Sequence, residues 1–317
     1  MLGKPGCLRP NTTNQYTHKM VKSNNLKLTL CAGLALAGLT GSVFAGAPVV
    51  AKETTTLVEE TTQSAITGDL GVNFTSQYIN RGVVRENQGV IAQPYVDLYF
   101  NLYEGEGFIN KVSLDLGAWS SLHSAKTHAH PHSTTNAWYE FDYSVGLGIT
   151  FARDFTFTPS YVELNSPNDA FKASRNVNLR LDYDDSELLG AFALRPHVSY
   201  LRELQGSLGN GTSKGNGNYY EVGVAPGAAF GPVAVTVPLN AGFGSHNFYG
   251  DNQGFGYFSG GVNASVALSF IPAAYGAWTF NTGATYYYLH GTLSQANSIQ
   301  RSGNNTFVFN GGLNLAF

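Results

Sequence analysis

The chain has 317 residues, of which 43% are hydrophobic, 13% aromatic and only 12% charged. That charged share is about half the usual share of a soluble domain. Residues 1–45 hold five basic residues (Lys4, Arg9, Lys19, Lys22, Lys27) and no acidic ones, so the remainder carries 13 basic against 21 acidic residues, a net of −8. This balance excludes a nucleic-acid partner, which needs a basic patch.

Residues 1–19 are polar and without period, and read as an extension upstream of the true gene start, the rival being a long basic leader. From Met20 the pattern changes. Lys22 and Lys27 precede the apolar run Leu28–Leu39, and Val43-Phe44-Ala45 places small residues at −3 and −1. Residues 20–45 are therefore expected to be a secretory signal peptide cut after Ala45. Both cysteines, Cys7 and Cys31, fall in this removed part, which leaves an exported chain with no disulfide framework and no thiol chemistry. Residues 46–66 read as a flexible periplasmic lead. Beyond residue 45 no apolar run approaches the ~20 residues of a spanning helix, so any membrane crossing falls to strands.

From residue 67 to 317 the hydrophobic period is two. In 93–102, Val96, Leu98, Phe100 and Leu102 form one face and Tyr95, Asp97, Tyr99 and Asn101 the other, the pattern of a strand with one oily and one wet side. The pattern recurs at Leu70–Phe74, Val112–Leu116, Tyr139–Phe151, Val177–Tyr183, Phe192–Val198, Val222–Val224, Val233–Leu239, Val262–Leu268, Trp278–Tyr286 and Phe307–Phe317. Charges fall on the face opposite the apolar row. A lipid-facing charge costs about 2–4 kcal/mol at mid-bilayer, whereas one in a wet lumen costs little. The segment 155–164 departs from the rule: Phe155 and Phe157 have the opposite parity to Val162 and Leu164. Placing Glu163 inside requires a parity switch, for which a bulge near Pro159 is the expected device.

Connections alternate in length. Links 82–89, 122–137, 165–176, 203–218, 245–254 and 290–305 are long and polar, while 103–108, 152–154, 184–190, 230–232 and 271–276 are short. Long outer loops and short periplasmic turns characterise outer-membrane barrels. The expected fold is an all-β transmembrane antiparallel up-and-down barrel of about twelve strands (10–14) in the bacterial outer membrane. The closing Phe317 resembles the C-terminal signal by which such barrels are recognised by the barrel-assembly machinery.

The stretch Val72 to Val83 holds Ser76, Tyr78, Arg81 and Gly82 as Ser-x-Tyr-x-x-Arg-Gly, followed by Gln93 and Asp97-Leu98-Tyr99. It resembles the opening of the TorF-type porins, in which a strand ends in that motif. The resemblance implies a barrel and suggests a pore. It supplies no catalytic residues.

Among candidate sites, His128, His130 and His132, with His123 nearby, could hold a divalent metal in the third connection; a polar outer loop containing Pro131 explains them as well. His197 and Ser199 share a face but lie two apart on a strand, too far for a direct dyad, and no third group is evident. The lumen charges carry more information. Glu140 and Asp142 are expected to face inward. Pairing about 103–108 would set Asp97 nearly opposite Asp115, and pairing about 184–190 would set Arg180 beside Arg195. Opposed on two walls, these pairs would impose a transverse field that filters solutes by charge; a structural ion-pair lattice would use the same residues. Arg81 would bind lipopolysaccharide phosphate or pair with Glu86 or a neighbouring strand. The expected function is a passive, non-enzymatic channel for small polar solutes, with outer-membrane lipid and lipopolysaccharide around it and no cofactor. A closed structural or adhesive barrel is one alternative. A hydrolase acting at the outer rim is the other.

Overall fold

The computed structural model describes residues 65–125, 135–206, 216–250, 254–291, 293 and 304–317. The expected leader, signal peptide and all but the end of the periplasmic segment, together with His128, His130 and His132, lie outside the described residues. Among the described residues there are sixteen strands: β1 (Ile66–Thr75), β2 (Tyr78–Asn80), β3 (Val83–Glu86), β4 (Ile91–Glu104), β5 (Ile109–His123), β6 (Trp138–Phe151), β7 (Phe155–Asn165), β8 (Ser174–Tyr183), β9 (His197–Gln205), β10 (Asn218–Val224), β11 (Gly227–Phe230), β12 (Val233–Thr236), β13 (Leu239–Gly244), β14 (Gly254–Ala267), β15 (Ala277–Leu289) and β16 (Asn305–Ala316). All but β2 and β3 belong to one antiparallel sheet that closes on itself as a 12-strand barrel.

Fourteen strands make twelve staves because two staves are broken by proline. Pro226 separates β10 from β11, and Pro238 separates β12 from β13. Proline has no N–H to give the ladder. The carbonyls remain in use: Pro226 accepts from Val237 N at 2.8 Å and Pro238 from Gly261 N at 3.0 Å. Closure is made by β1 against β16, in register from Asp69↔Ala316 to Thr75↔Asn310. At the rim, Gly68 and Phe317 exchange both backbone bonds at 2.9 Å. The chain therefore ends inside the seam, with the Phe317 ring on the outer face.

Apolar rows point outward along the staves: Leu70, Val96, Val145, Val198, Val222, Val262, Phe280 and Leu313 are all exposed. The residues between them point inward and are buried, among them Asp69, Asp97, Ser113, Asn178, Asn263, Asn281 and Asn310. An inside-out distribution of this kind suits lipid outside and an enclosed polar lumen within.

Three expectations need correction. First, β7 carries no bulge: its pairs with β6 and with β8 run in constant register past Pro159. Val162 and Leu164 point inward and are buried, and Glu163 points outward, bonded to the Tyr161 hydroxyl at 2.8 Å and to Arg175 Nε at 3.1 Å. The physical reason is that the outer end of the lumen is filled by an apolar insert. Second, the link between β8 and β9 is longer than 184–190. It holds the short helix α1 (Ser186–Leu189) and a helical turn at Gly190–Phe192. Phe192 and Leu194 therefore belong to the rim, and Arg195 has φ 50°, incompatible with a strand. Asp185 holds this link by accepting from Leu194 N and Arg195 N at 3.0 and 2.8 Å. Third, the first outer connection begins at Ser76 rather than at residue 82, because β1 ends at Thr75.

Val262 lies midway along β14 with its side chain outward, and Thr279 faces inward on the adjacent stave. Val262→Arg is expected to destabilise the barrel by about 2–4 kcal/mol and Thr279→Arg to be nearly neutral. Urea unfolding from liposomes measures both, and an equal cost would contradict the assignment of faces.

Candidate functional site: the occluded lumen

Where the chain leaves β1 it does not loop into solvent. Ser76 clamps the exit twice: its N–H donates to Phe309 O, and its hydroxyl accepts from Phe309 N, each at 2.9 Å. The chain then turns into the barrel as the hairpin β2–β3, paired Asn80↔Val83. Its two-residue turn is Arg81-Gly82, with φ of 49° and 81°. Positive φ at both positions is what a twisted two-residue hairpin requires, and glycine meets it without steric cost. Gly82 is needed for space as well, since a Cβ there would stand 2.8 Å from the Tyr257 ring. The family-like motif is thus an inserted hairpin and not the end of a strand, and each of its four residues has a local task.

The hairpin is held from two sides. Tyr78 is fully buried, packed on Trp119 with ring centroids 5.4 Å apart, and its hydroxyl donates to Glu140 Oε2 at 2.8 Å. Burial and, secondarily, the negative charge of Glu140 push the Tyr78 phenol well above its usual range, so it stays a donor. On the far side, Ile79, Val83 and Val84 pack with Val162, Leu164, Leu201, Tyr219, Phe248, Tyr249 and Tyr257. Phe248 and Tyr249 come from the short helix α2 (His246–Tyr249), which lies in the fifth outer connection. The Tyr249 hydroxyl donates to Arg81 O at 2.8 Å, and burial raises its pKa well above the ordinary value. The Arg81 guanidinium sits over the Tyr219 ring, 5.4 Å from its centroid, a cation–π contact. Arg81 therefore engages this lumenal packing and the turn.

Opposite the hairpin, β6 presents Glu140 and Asp142, both buried and inward. The positive charges of Arg81 and Arg85 act on both carboxylates. The arginines that oppose this acidic wall thus come from the hairpin, and Arg85 had no periodic signal to mark it. Near them, Ser121 Oγ lies 2.8 Å from His123 Nε2, and His123 Nδ1 lies 3.8 Å from Glu86 Oε2. The order resembles a nucleophile, base and orienting acid. However, Ser121 and Glu86 are 0% exposed, and His123 stacks on Tyr139 with centroids 4.5 Å apart. No carbonyl can reach Ser121 in this packing, so the group serves to tie β3 to β5. Tyr139 reaches it because the β5–β6 register slips between Ser121 and Leu122 and leaves Tyr139 as the extra residue.

Below the hairpin Asp97 and Asp115 lie nearly opposite one another, as expected, while the two arginines do not pair. Asp97 is paired directly with Asp69 across β1–β4, and Asp115 faces Tyr99 one inward rung away from the Asp97↔Gly117 pair. Asp69 accepts from the Tyr99 hydroxyl and from Asn314 Nδ2, each at 3.3 Å. Asp115 accepts from Ser113 Oγ at 2.6 Å. Asp69 was legible as the next inward position below Gly71 and Asn73, but its own neighbours Gly68 and Leu70 form too short an apolar row to mark it. Arg180 is opposite Ser199, not Arg195, and is engaged by Asp182 through three contacts of 2.7–3.1 Å. Arg195 lies beyond the end of β9, where its Nη1 reaches Gly227 O at 3.5 Å. The two arginines do not form a pair. His197 and Ser199 do not form a dyad either: His197 Nε2 lies 3.6 Å from Glu221 Oε1, and Glu221 also accepts from the Tyr219 and Tyr257 hydroxyls at 2.6 Å.

Solved structures similar to this chain are outer-membrane barrels. The NanC porin is 10% identical over 78% of this chain and 98% of its own, with a TM-score of 0.42. An outer-membrane channel from Pseudomonas putida F1 is 9% identical over 80% and 95%, with a TM-score of 0.45. Outer membrane phospholipase A from Escherichia coli is 13% identical over 78% and 89%, with a TM-score of 0.37. No family model and no curated protein matches the sequence.

Tyr78→Phe removes the donor to a buried carboxylate, a bond worth about 1.5–3 kcal/mol. Hydrogen exchange of the Ile79–Glu86 amides is expected to quicken roughly tenfold or more, with barrel-strand amides unchanged. Identical hairpin protection in the two proteins would mean that this bond does not hold the insert.

Proposed function

We propose that the protein is an outer-membrane channel for small polar solutes whose outer mouth is closed by the β2–β3 hairpin. The observation that carries this reading is the lumen wall below the hairpin. It is polar on stave after stave, and several of its side-chain atoms, including Gln93 Nε2, Asp115 Oδ2, Thr158 Oγ1 and Asn281 Oδ1, have no hydrogen-bond partner within the described protein. Unpaired polar groups of this kind cost free energy unless water or solute meets them. Twelve strands enclose a narrower lumen than the sixteen to eighteen of large aqueous porins, which suits small solutes. The resemblance of the first hairpin to TorF-type porins agrees with this reading.

Asp69, Asp97 and Asp115 form one acidic wall on β1, β4 and β5, while Arg180 is engaged by Asp182. The filter proposed is therefore a cation-favouring wall, in place of a field between acidic and basic pairs. A closed barrel is the second reading, favoured by the fully buried Tyr78, Phe248 and Tyr249 in the mouth.

Planar-bilayer recording separates the two. Wild-type protein is expected to show brief, infrequent openings, and excision of Asn80–Arg85 to give long-lived steps. Asp69→Asn/Asp97→Asn/Asp115→Asn in the excised background should bring the cation-to-anion permeability ratio to near one. Silence from both wild-type and excised barrels would leave the closed barrel, and an unchanged ratio would remove the acidic wall from the filter.

A further inference from the structure

Charge is distributed unevenly around the lumen. From Val222 to Phe317 the sequence holds two charged residues, Asp251 and Arg301, and neither falls within β11–β16. In place of charge, the inward positions of β14, β15 and β16 carry asparagine. The register arranges asparagine and glycine in alternation. One rung reads Asn263, Gly283, Asn310, and the next reads Ser265, Asn281, Gly312, Asn73. The glycines make room for the amides: a Cβ on Gly283 would collide with Asn263 Oδ1 and stand 3.0 Å from Asn310 Oδ1.

This wall is built but not satisfied. Asn263 and Asn281 are 6% and 5% exposed. Both amide atoms of Asn263, the Asn281 carbonyl oxygen and Asn73 Nδ2 have no partner within the described protein. Asn263, Asn281 and Asn310 line one cleft together with Thr236 and Ser265. Each amide offers two donors and an acceptor with two lone pairs, and a hydroxyl both gives and takes a hydrogen bond. Neighbouring amides on successive rungs therefore match neighbouring hydroxyls. The wall holds no charge to compensate an ionic solute, and the acidic wall beginning at Asp69 repels anions.

We propose that the β14–β15–β16 wall is a binding track for neutral polyhydroxylated solutes of saccharide or polyol type, centred on Asn263 and Asn281. The track rests on the channel reading for its biological use, but binding to it can be measured apart from conduction. The test is calorimetric titration of the full-length barrel in detergent with sucrose and, separately, glucose 6-phosphate. Sucrose is expected to give saturable heat, and glucose 6-phosphate at least tenfold weaker binding. Asn263→Ala/Asn281→Ala should weaken sucrose binding tenfold or more, and Asn263→Ser/Asn281→Ser, which places a hydroxyl at each site, should retain part of it. Heat-modifiable gel mobility verifies that each variant is folded. No sucrose heat from the wild type, or equal affinity in the folded alanine variant, overturns the track even where bilayer steps persist. Sucrose binding that depends on both asparagines in a barrel that never conducts upholds the track and defeats the channel instead.

Discussion

A bilayer offers no water to the peptide backbone, and this constraint governs everything else in the molecule. Each strand must find two neighbours, so the sheet must close. Here the closing contact is the ladder between β1 and β16, completed at the rim by the mutual bonds of Gly68 and Phe317. Once that seam is made, the two faces of every strand acquire different solvents. The apolar row of each stave meets lipid, and the row between is enclosed. Even the prolines obey the constraint: Pro226 and Pro238 interrupt their staves, but their carbonyls are taken up by Val237 and Gly261.

Enclosure creates a second problem, which the lumen solves in different ways at different depths. In the outer third it is filled by an insert with its own apolar core, so Val162 and Leu164 point inward and Glu163 outward, the reverse of the rule that holds elsewhere. The same insert carries Arg81 and Arg85 to the Glu140–Asp142 wall. Lower down, among the described residues, the lumen is lined by polar side chains. On one side they are the carboxylates of Asp69, Asp97 and Asp115. On the other they are amides set over glycines. Occlusion above and polarity below are the two observations on which the proposed channel rests.

Much of the barrel was legible because a strand's period of two is a local property. Val96, Leu98 and Phe100 announce an outward row whatever surrounds them, and Asp97 and Glu140 announce the inward one. The misreadings have a common cause. A short turn at 184–190 predicts Arg180 beside Arg195, but the link contains α1 and a helical turn that use up the residues. The bulge at Pro159 was required only because the lumen was assumed polar at every depth. Ser76, Tyr78, Arg81 and Gly82 stood out as a motif, but their tasks depend on Phe309, Glu140, Tyr219 and Tyr257, all distant in sequence.

What the amino-acid sequence determined by itself was the all-β character, the face each strand turns to lipid and the alternation of long and short connections, because these follow from side-chain period and turn composition over a few residues. What only the tertiary structure decided was which walls meet and what occupies the space between them. Closing the ring sets Asp69 beside Asn314 and Asn73 beside Gly312, and folding the first outer connection inward fills the mouth. Such contacts join residues as many as 245 positions apart, and no local pattern encodes them, since their energies exist only once the sheet has closed.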